Sequence, residues 1–425
     1  MNFLYSFSIF IFGILIRIKS FSGGKARLWI KGRKGFFLRI EPVVNQWKER
    51  KEKVIWFHCS SLGEFEQGRP VIEMIKQTYP DYRILLTFFS PSGYEVRKNW
   101  DQADFVCYLP LDTPGNASRF VNLINPALVF FIKYDYWYNF LRQLYAKKIP
   151  VIIVSVLFRP TQYFFRWYGG WFRRQLDSVS CFFLQNEESR VLLESVGFKN
   201  ALVTGDTRFD RVFDIAMSKK EYPAIRRFCN GSNVFIAGST WKEDEDIIIP
   251  LTLQEHPSVK FIFAPHDVRP ENIEILISKL MKPCLKYSGL TWENARSADV
   301  LIIDSIGILS QLYQYATLAY IGGGFGAGIH NIQEPVTFGV PVVFGPNYNK
   351  FKEAVDLVSQ GAAFPVSTSG ELQEHVSFLL SELSERNRIS GLCRLYVDRN
   401  RGATEKILLE LVTRGLLPSN LNPAG

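Results

Sequence analysis

None of the six cysteines, Cys59, Cys107, Cys181, Cys229, Cys284 and Cys393, forms a C-x-x-C pair, and no cysteine stands near a histidine at metal-ligand spacing. That spacing fits reduced thiols in a cytosolic protein better than a disulfide framework or a zinc site. No metal site is expected, and no cofactor. The chain also lacks an apolar run of spanning length. Its longest, FLYSFSIFIFGILI over residues 3–16, has fourteen residues, where a membrane-spanning helix needs about twenty. Acidic residues are absent from residues 1–40, which carry eight cations: Arg17, Lys19, Lys25, Arg27, Lys31, Arg33, Lys34 and Arg39. The formal net charge of +9 is therefore concentrated at the N-terminus, and a nucleic-acid partner is not implied. The cations follow the apolar run instead of preceding it, and no small-residue cleavage site follows, so a removed signal peptide is not expected either. Short internal repeats and low-complexity tracts are missing as well.

What the N-terminus does contain is an apolar segment followed by a polybasic one. This pattern predicts a helix lying in or dipping into a membrane, with cations on anionic headgroups worth roughly 1 kcal/mol each. The competing expectation is a partly exposed helix packed on its own protein. By the positive-inside tendency, the body of the protein stays on the cytoplasmic side.

The remaining chain is rich enough in apolar residues, 47% overall, to bury large cores, and at 425 residues it exceeds what one core usually supports. From residue 54 onward, short Val, Ile, Leu and Phe runs alternate with amphipathic stretches, as in parallel sheets wrapped by helices. The runs are VIWFHCS, RILLTFF, DFVCYLP, ALVFFI, VIIVSVLF, CFFLQN and ALVTGD, then VFIAGST, KFIFAPH, DVLIIDS, TLAYIGGG, PVVFGP and AAFPVS. Between the two sets, RFDRVFDIAMSKKEYPAIRRFCNGSN reads as a polar, irregular hinge. The expected fold is α/β: two doubly wound Rossmann-like domains facing across a cleft. Residues 1–40 form the membrane-associated segment, 41–215 the first domain and 216–425 the second.

Ligands of such domains sit beyond the carboxyl ends of the strands. Glu64, in SSLGEF, stands there in the first domain. Alone it is explained as a helix-start carboxylate, yet a carboxylate so placed can also deprotonate a hydroxyl. In the second domain, Gly322, Gly323, Gly324, Gly326 and Gly328 follow a strand and precede a short helix expected over Asn331–Phe338. The spacing departs from the dinucleotide fingerprint, so a nucleotide-phosphate site is favoured over hydride transfer. Asn331 and Glu334 resemble a capping box. The DED run at Asp244–Asp246 reads as first-turn carboxylates of a helix capped by Ser239 or Thr240.

Taken together, FHCSSLGEFEQGRPVIEMI, LTFFSPSGYEVRK, YLPLDTP, LQNEESRVLLESVG, VTGDTRFD, IAGSTWKEDED, DSIGILSQLY and GAGIHNIQEPVTFGVPVVFGPNYNKFKEA resemble the 3-deoxy-D-manno-octulosonic acid (Kdo) transferases of lipopolysaccharide synthesis, enzymes of the glycosyltransferase-B fold. The resemblance spans residues 54–356. It implies inverting, metal-independent transfer of Kdo from CMP-Kdo to a hydroxyl of a lipid A precursor of the lipid IVA type, at the cytoplasmic face of the inner membrane, with the protein bound there peripherally or monotopically. It implies Glu64 as general base. Pro265 and His266, Ile306, Gly307 and Ile308, and Asn331, Ile332, Gln333 and Glu334 are then the CMP contacts. Arg208 and Lys350 are further candidates for the leaving phosphate; where the family has Arg then His after the proline, His266 here follows Pro265 directly, so either His266 or Arg269 is expected to serve the phosphate. FIKYDYWYNF and VLFRPTQYFFRWYGGWF depart from the family pattern in the acceptor domain; the aromatic-basic run at 158–174 suits either lipid or core. Two other readings fit the same residues: a glycosyltransferase-B enzyme using a UDP-sugar on a lipid acceptor, and a non-catalytic membrane-bound sugar-nucleotide binding protein.

Overall fold

A computed structural model describes residues 1–218, 220–253 and 259–419. The chain divides into two compact units, one built from residues up to Asp210 together with the segment from Gly402 onward, the other from Arg211–Arg401.

The first unit opens with three helices, α1 (Asn2–Ser20), α2 (Gly24–Arg33) and α3 (Phe36–Glu49). Seven strands follow: β1 (Lys53–Cys59), β2 (Tyr82–Phe88), β3 (Phe105–Tyr108), β4 (Leu128–Ile132), β5 (Val151–Val156), β6 (Cys181–Leu184) and β7 (Ala201–Val203). They form one parallel sheet in the order β3-β2-β1-β4-β5-β6-β7, with helix α4 (Leu62–Thr78) crossing from β1 to β2. The order reverses at β1, so the ends of β1 and β4 flank the topological switch where such sheets bind ligands.

Successive β1 side chains point to opposite faces. Val54 and Trp56 enter one core, while Ile55, Phe57 and Cys59 enter the other. Trp56 is packed edge-on by Phe120, Phe131 and Phe140, contacts worth about 0.5–1.5 kcal/mol per pair beyond area burial. The second core also takes Ile407, Leu408 and Leu411. These come from the C-terminal helix Ala403–Thr413, a segment the alternation pattern places in the second domain.

The second unit repeats the architecture with β8 (Asn233–Thr240), β9 (Val259–Pro265), β10 (Cys284–Lys286), β11 (Val300–Ile302), β12 (Leu318–Ile321), β13 (Val342–Phe344) and β14 (Ala363–Pro365). Its parallel order is β10-β11-β9-β8-β12-β13-β14. The expected strands are all present, and β10 is additional. The supposed irregular hinge is instead two helices, Arg208–Ser218 and Pro223–Cys229. Phe209, Val212 and Ala216, all buried, recur at helical spacing, a period that the many charges between them hide.

Contrary to the expectation from the fourteen-residue run alone, α1 is long and apolar enough to cross a membrane by length and composition, because the helix continues past that run to Ser20. It nonetheless packs along one side on the first unit. Tyr5 donates its hydroxyl proton to Asp112 (2.6 Å), and a Cβ at Gly13 would come within 2.8 Å of Leu111 Cδ2. The opposite side leaves Phe3, Leu4, Phe7, Leu15 and Ile18 exposed. The aromatic-basic run divides similarly: Phe158 and Phe164 are core residues, whereas Trp167 is 92% exposed.

Candidate functional site

Helix α4 begins one turn beyond the end of β1, and its capping residue fixes Glu64. The Ser61 hydroxyl accepts from the Glu64 N–H (3.4 Å), and the Glu64 carboxylate accepts from the Ser61 N–H (3.1 Å). This is a reciprocal capping box, so the helix-start role of Glu64 is directly visible. Its environment is unusual for a cap. Asp135, from the loop after β4, is buried beside it and hydrogen-bonds to its carboxylate. Asp135 also accepts from the Ser60 N–H (3.0 Å) and hydroxyl (2.5 Å). Burial raises the pKa of Glu64, and burial together with the Glu64 charge holds Asp135 well above the carboxylate range.

Two carboxyl groups in contact cannot both ionise cheaply. Backbone N–H donors and the Lys133 ammonium favour charge on Glu64, and of the two carboxyls it is Asp135 whose proton affinity is held higher, so that Asp135 is the donor of the pair and Glu64 the acceptor. Lys133 itself has φ 69°, a left-handed conformation that a non-glycine residue adopts at a cost and that clusters at functional sites.

His58, at the end of β1, is buried and lies 3.4 Å from Asp135. The pair has the geometry of a salt bridge but is not one. The Trp56 indole N–H donates to Thr87 Oγ1 (2.8 Å), and that hydroxyl donates to the Phe57 carbonyl (3.2 Å). Thr87 Oγ1 therefore accepts from His58 Nδ1–H (2.8 Å). His58 Nε2 is left bare, and accepts the Trp137 indole N–H (3.0 Å). Burial lowers the His58 pKa to about 3, consistent with a neutral ring that orients the site without supplying charge.

In the second unit the expected nucleotide residues lie at the ends of adjacent strands β11, β9, β8 and β12. Pro265 closes β9, and the His266 N–H donates to the Thr240 carbonyl (2.9 Å). The His266 ring stacks between Trp241 (4.5 Å) and His330 (4.6 Å), and the Trp241 indole N–H donates to His330 Nε2 (3.1 Å). His266 is thereby joined to the 330–334 segment. Burial and the neighbouring His266 bring the His330 pKa down to about 4.

Asn331 accepts from the Gln333 N–H (3.1 Å), and its amide donates to Glu334 (3.2 Å), which aims the carboxylate. The helix here is shorter than expected, Gln333–Thr337, because Asn331 and Ile332 form its cap. Gln333 is buried and donates to Glu353 (3.4 Å). Ile306 is 85% exposed, Gly307 has φ 104°, and Ile308 caps the short helix Leu309–Leu312. Nearby, the Ser305 hydroxyl is buried without a hydrogen-bond partner among the described residues.

The glycines serve close backbone approach. A Cβ on Gly322 would lie 2.2 Å from the Ser239 carbonyl oxygen, and one on Gly324 would lie 2.6 Å from the Gly345 backbone. Asp244 fixes the loop from the other side, accepting from the N–H groups of Trp241 (2.9 Å) and Gly323 (2.8 Å) and from the Tyr320 hydroxyl (2.9 Å). The helix start at Lys242 is thus held by Asp244 reaching back to the Trp241 N–H, and Ser239 and Thr240 remain in β8.

Arg208 is engaged by Asp206 (2.6 Å) and Arg269 by Asp267 (2.5 Å). Neither presents a bare guanidinium to an anion. The residues missed from the sequence are Asp135, Lys133 and His58. Their signal was position alone, at or just beyond the carboxyl ends of β4 and β1.

Residues 33–211 match the family model of 3-deoxy-D-manno-octulosonic-acid transferase (kdotransferase). Among curated proteins, the 3-deoxy-D-manno-octulosonic acid transferase of Haemophilus influenzae is 26% identical over 369 residues, covering 83% of this chain and 85% of the relative. That of Aquifex aeolicus is 28% identical over 338 residues, covering 78% and 87%. Among solved structures, UDP-GlcNAc 2-epimerase from Neisseria meningitidis superposes with a TM-score of 0.60 at 17% identity, covering 85% of this chain and 100% of that one. MurG from Acinetobacter baumannii gives 0.53 at 14% identity, covering 85% and 99%. These two likenesses establish the glycosyltransferase-B fold.

Proposed function

We propose, from the premise that this chain is a glycosyltransferase of the GT-B fold homologous to the Kdo transferases, that it moves Kdo from CMP-Kdo to a hydroxyl of an acylated lipid A precursor, inverting the anomeric centre without a metal. The observation that carries this reading is the Glu64–Asp135 pair. A lone exposed carboxylate is a weak base, whereas burial raises the proton affinity of Glu64 while the hydrogen bond from Asp135 keeps its carboxylate ionised and ready to accept a proton.

In the proposed reaction the acceptor hydroxyl gives its proton to Glu64 as its oxygen bonds to the anomeric carbon of Kdo. The bond from that carbon to the phosphate oxygen breaks, and CMP leaves with the electron pair. Pro265, His266, Ile306 to Ile308 and Asn331 to Glu334 hold CMP, with Glu334 accepting from ribose hydroxyls. The exposed side of α1 and the cations after it support a seat on the cytoplasmic surface of the inner membrane.

Mass analysis of the product made by purified protein from CMP-Kdo, generated in situ, and a tetraacylated lipid A precursor tests this reading. A mass gain of one or more Kdo units is expected. Transfer from a UDP-sugar instead, or no transfer from either donor, contradicts it.

A further inference from the structure

Between α1, α2, the start of α3 and the loop after β3 lies a cavity of about 630 Å³, within the ~300–1,000 Å³ range of ligand sites. Phe10, Ile14, Trp29 and Phe36 give it an apolar wall, and its charged lining residues are four cations, Arg17, Arg33, Lys34 and Arg119, with no carboxylate. Glu41 neutralises Arg119 (2.5 Å). Among the described residues Arg33 has only neutral partners: it donates to the carbonyls of Leu109 (2.8 Å), Phe89 (2.9 Å) and Trp29 (3.2 Å), and lies 3.7 Å over the Trp29 ring. Burial lowers its pKa to about 9, which leaves it cationic at neutral pH. Trp29 is only 6% exposed, and its indole N–H has no hydrogen-bond partner among the described residues. An apolar wall, a cationic rim and an unused buried donor together suit an acyl chain bearing an anionic head.

A continuous set of contacts joins this cavity to Glu64. Arg33 holds the Phe89 carbonyl, and the Phe89 ring lies 4.6 Å from that of Trp137. Trp137 donates to His58, which lies 3.4 Å from Asp135, the carboxyl paired with Glu64. Both features therefore occupy the carboxyl end of the first sheet.

We propose that this cavity seats one acyl chain of the phosphorylated lipid acceptor, with Arg17 and Lys34 on its phosphate, so that α1 is a wall of the acceptor site as well as a membrane contact. The proposal rests on the transferase reading for the identity of the lipid, and binding tests it independently of turnover.

The experiment is native mass spectrometry of the full chain in non-ionic detergent, titrated with a tetraacylated, bisphosphorylated glucosamine disaccharide. One bound molecule is expected, and the deacylated disaccharide should not be retained. Ile14→Trp, which fills the cavity from an exposed position, and the double variant Arg17→Glu/Lys34→Glu should each weaken binding at least tenfold with unchanged thermal stability. Lys25→Glu, outside the cavity, should bind as the parent does. Absent binding by the parent chain, equal loss in Lys25→Glu, or displacement by an equal concentration of phosphatidylglycerol overturns the proposal. Binding as expected without Kdo transfer leaves the pocket standing and counts against the catalytic reading alone.

Discussion

At the scale of single residues, Glu64 starts helix α4, and the same capping box holds its carboxylate at the strand end, where the proposed base is needed. Its proton affinity is set by burial against donors, and Asp135 is one of the donors. Activity should therefore fall as pH drops through a Glu64 pKa above the ordinary carboxylate range, since only the ionised form accepts a proton. Asp135→Ala removes a hydrogen bond that stabilises the carboxylate, which raises that pKa and moves the acidic limb of the kcat/KM profile to higher pH. Asp135→Asn retains an N–H donor and should restore much of the original position. A limb unmoved in Asp135→Ala contradicts the pairing. Glu64 was legible because SSLGEF follows a strand directly and opens a helix. Asp135 was not, since only the pairing of β1 with β4 brings it to Ser60, 75 residues away in sequence. The tautomer of His58 was equally hidden, being decided by which partner Thr87 has already satisfied.

Among the elements, near-continuous apolar runs revealed the buried strands, and the exception explains the rule. β10 is three residues at a sheet edge, CLK, with one charge, so nothing in its pattern separates it from a loop. The C-terminal helix has an ordinary amphipathic sequence that cannot say which core it joins. Leu411, fully buried in the first unit, makes that location testable: Leu411→Ala should destabilise this unit by about 2–5 kcal/mol in chemical denaturation, as large-to-small core changes do. In the glycine loop, Gly324→Ala sets a Cβ 2.6 Å from backbone, where no side chain can yield. It should cost about 1–3 kcal/mol in thermal or urea unfolding and weaken CMP binding, whereas alanine at Gly115, which meets nothing within 4 Å, should leave binding unchanged.

For the molecule as a whole, the charge asymmetry of residues 1–40 pointed to a membrane-facing end, and α1 packs one side on the protein and leaves its other, apolar side open. Deleting the helix would strip Asp112 of its Tyr5 partner and confuse anchoring with folding. Replacing exposed Phe3, Phe7 and Leu15 together by Ser is the cleaner change, and should shift the protein from the membrane to the soluble fraction while CMP affinity stays constant. The central claim, a Glu64 base serving Kdo transfer, is tested most directly by Glu64→Gln, because glutamine also completes a capping box and leaves the start of α4 intact. Single-turnover transfer from CMP-Kdo, with CMP affinity measured alongside, should fall by about a hundredfold or more at unchanged affinity; near-parental turnover in that variant would contradict the account.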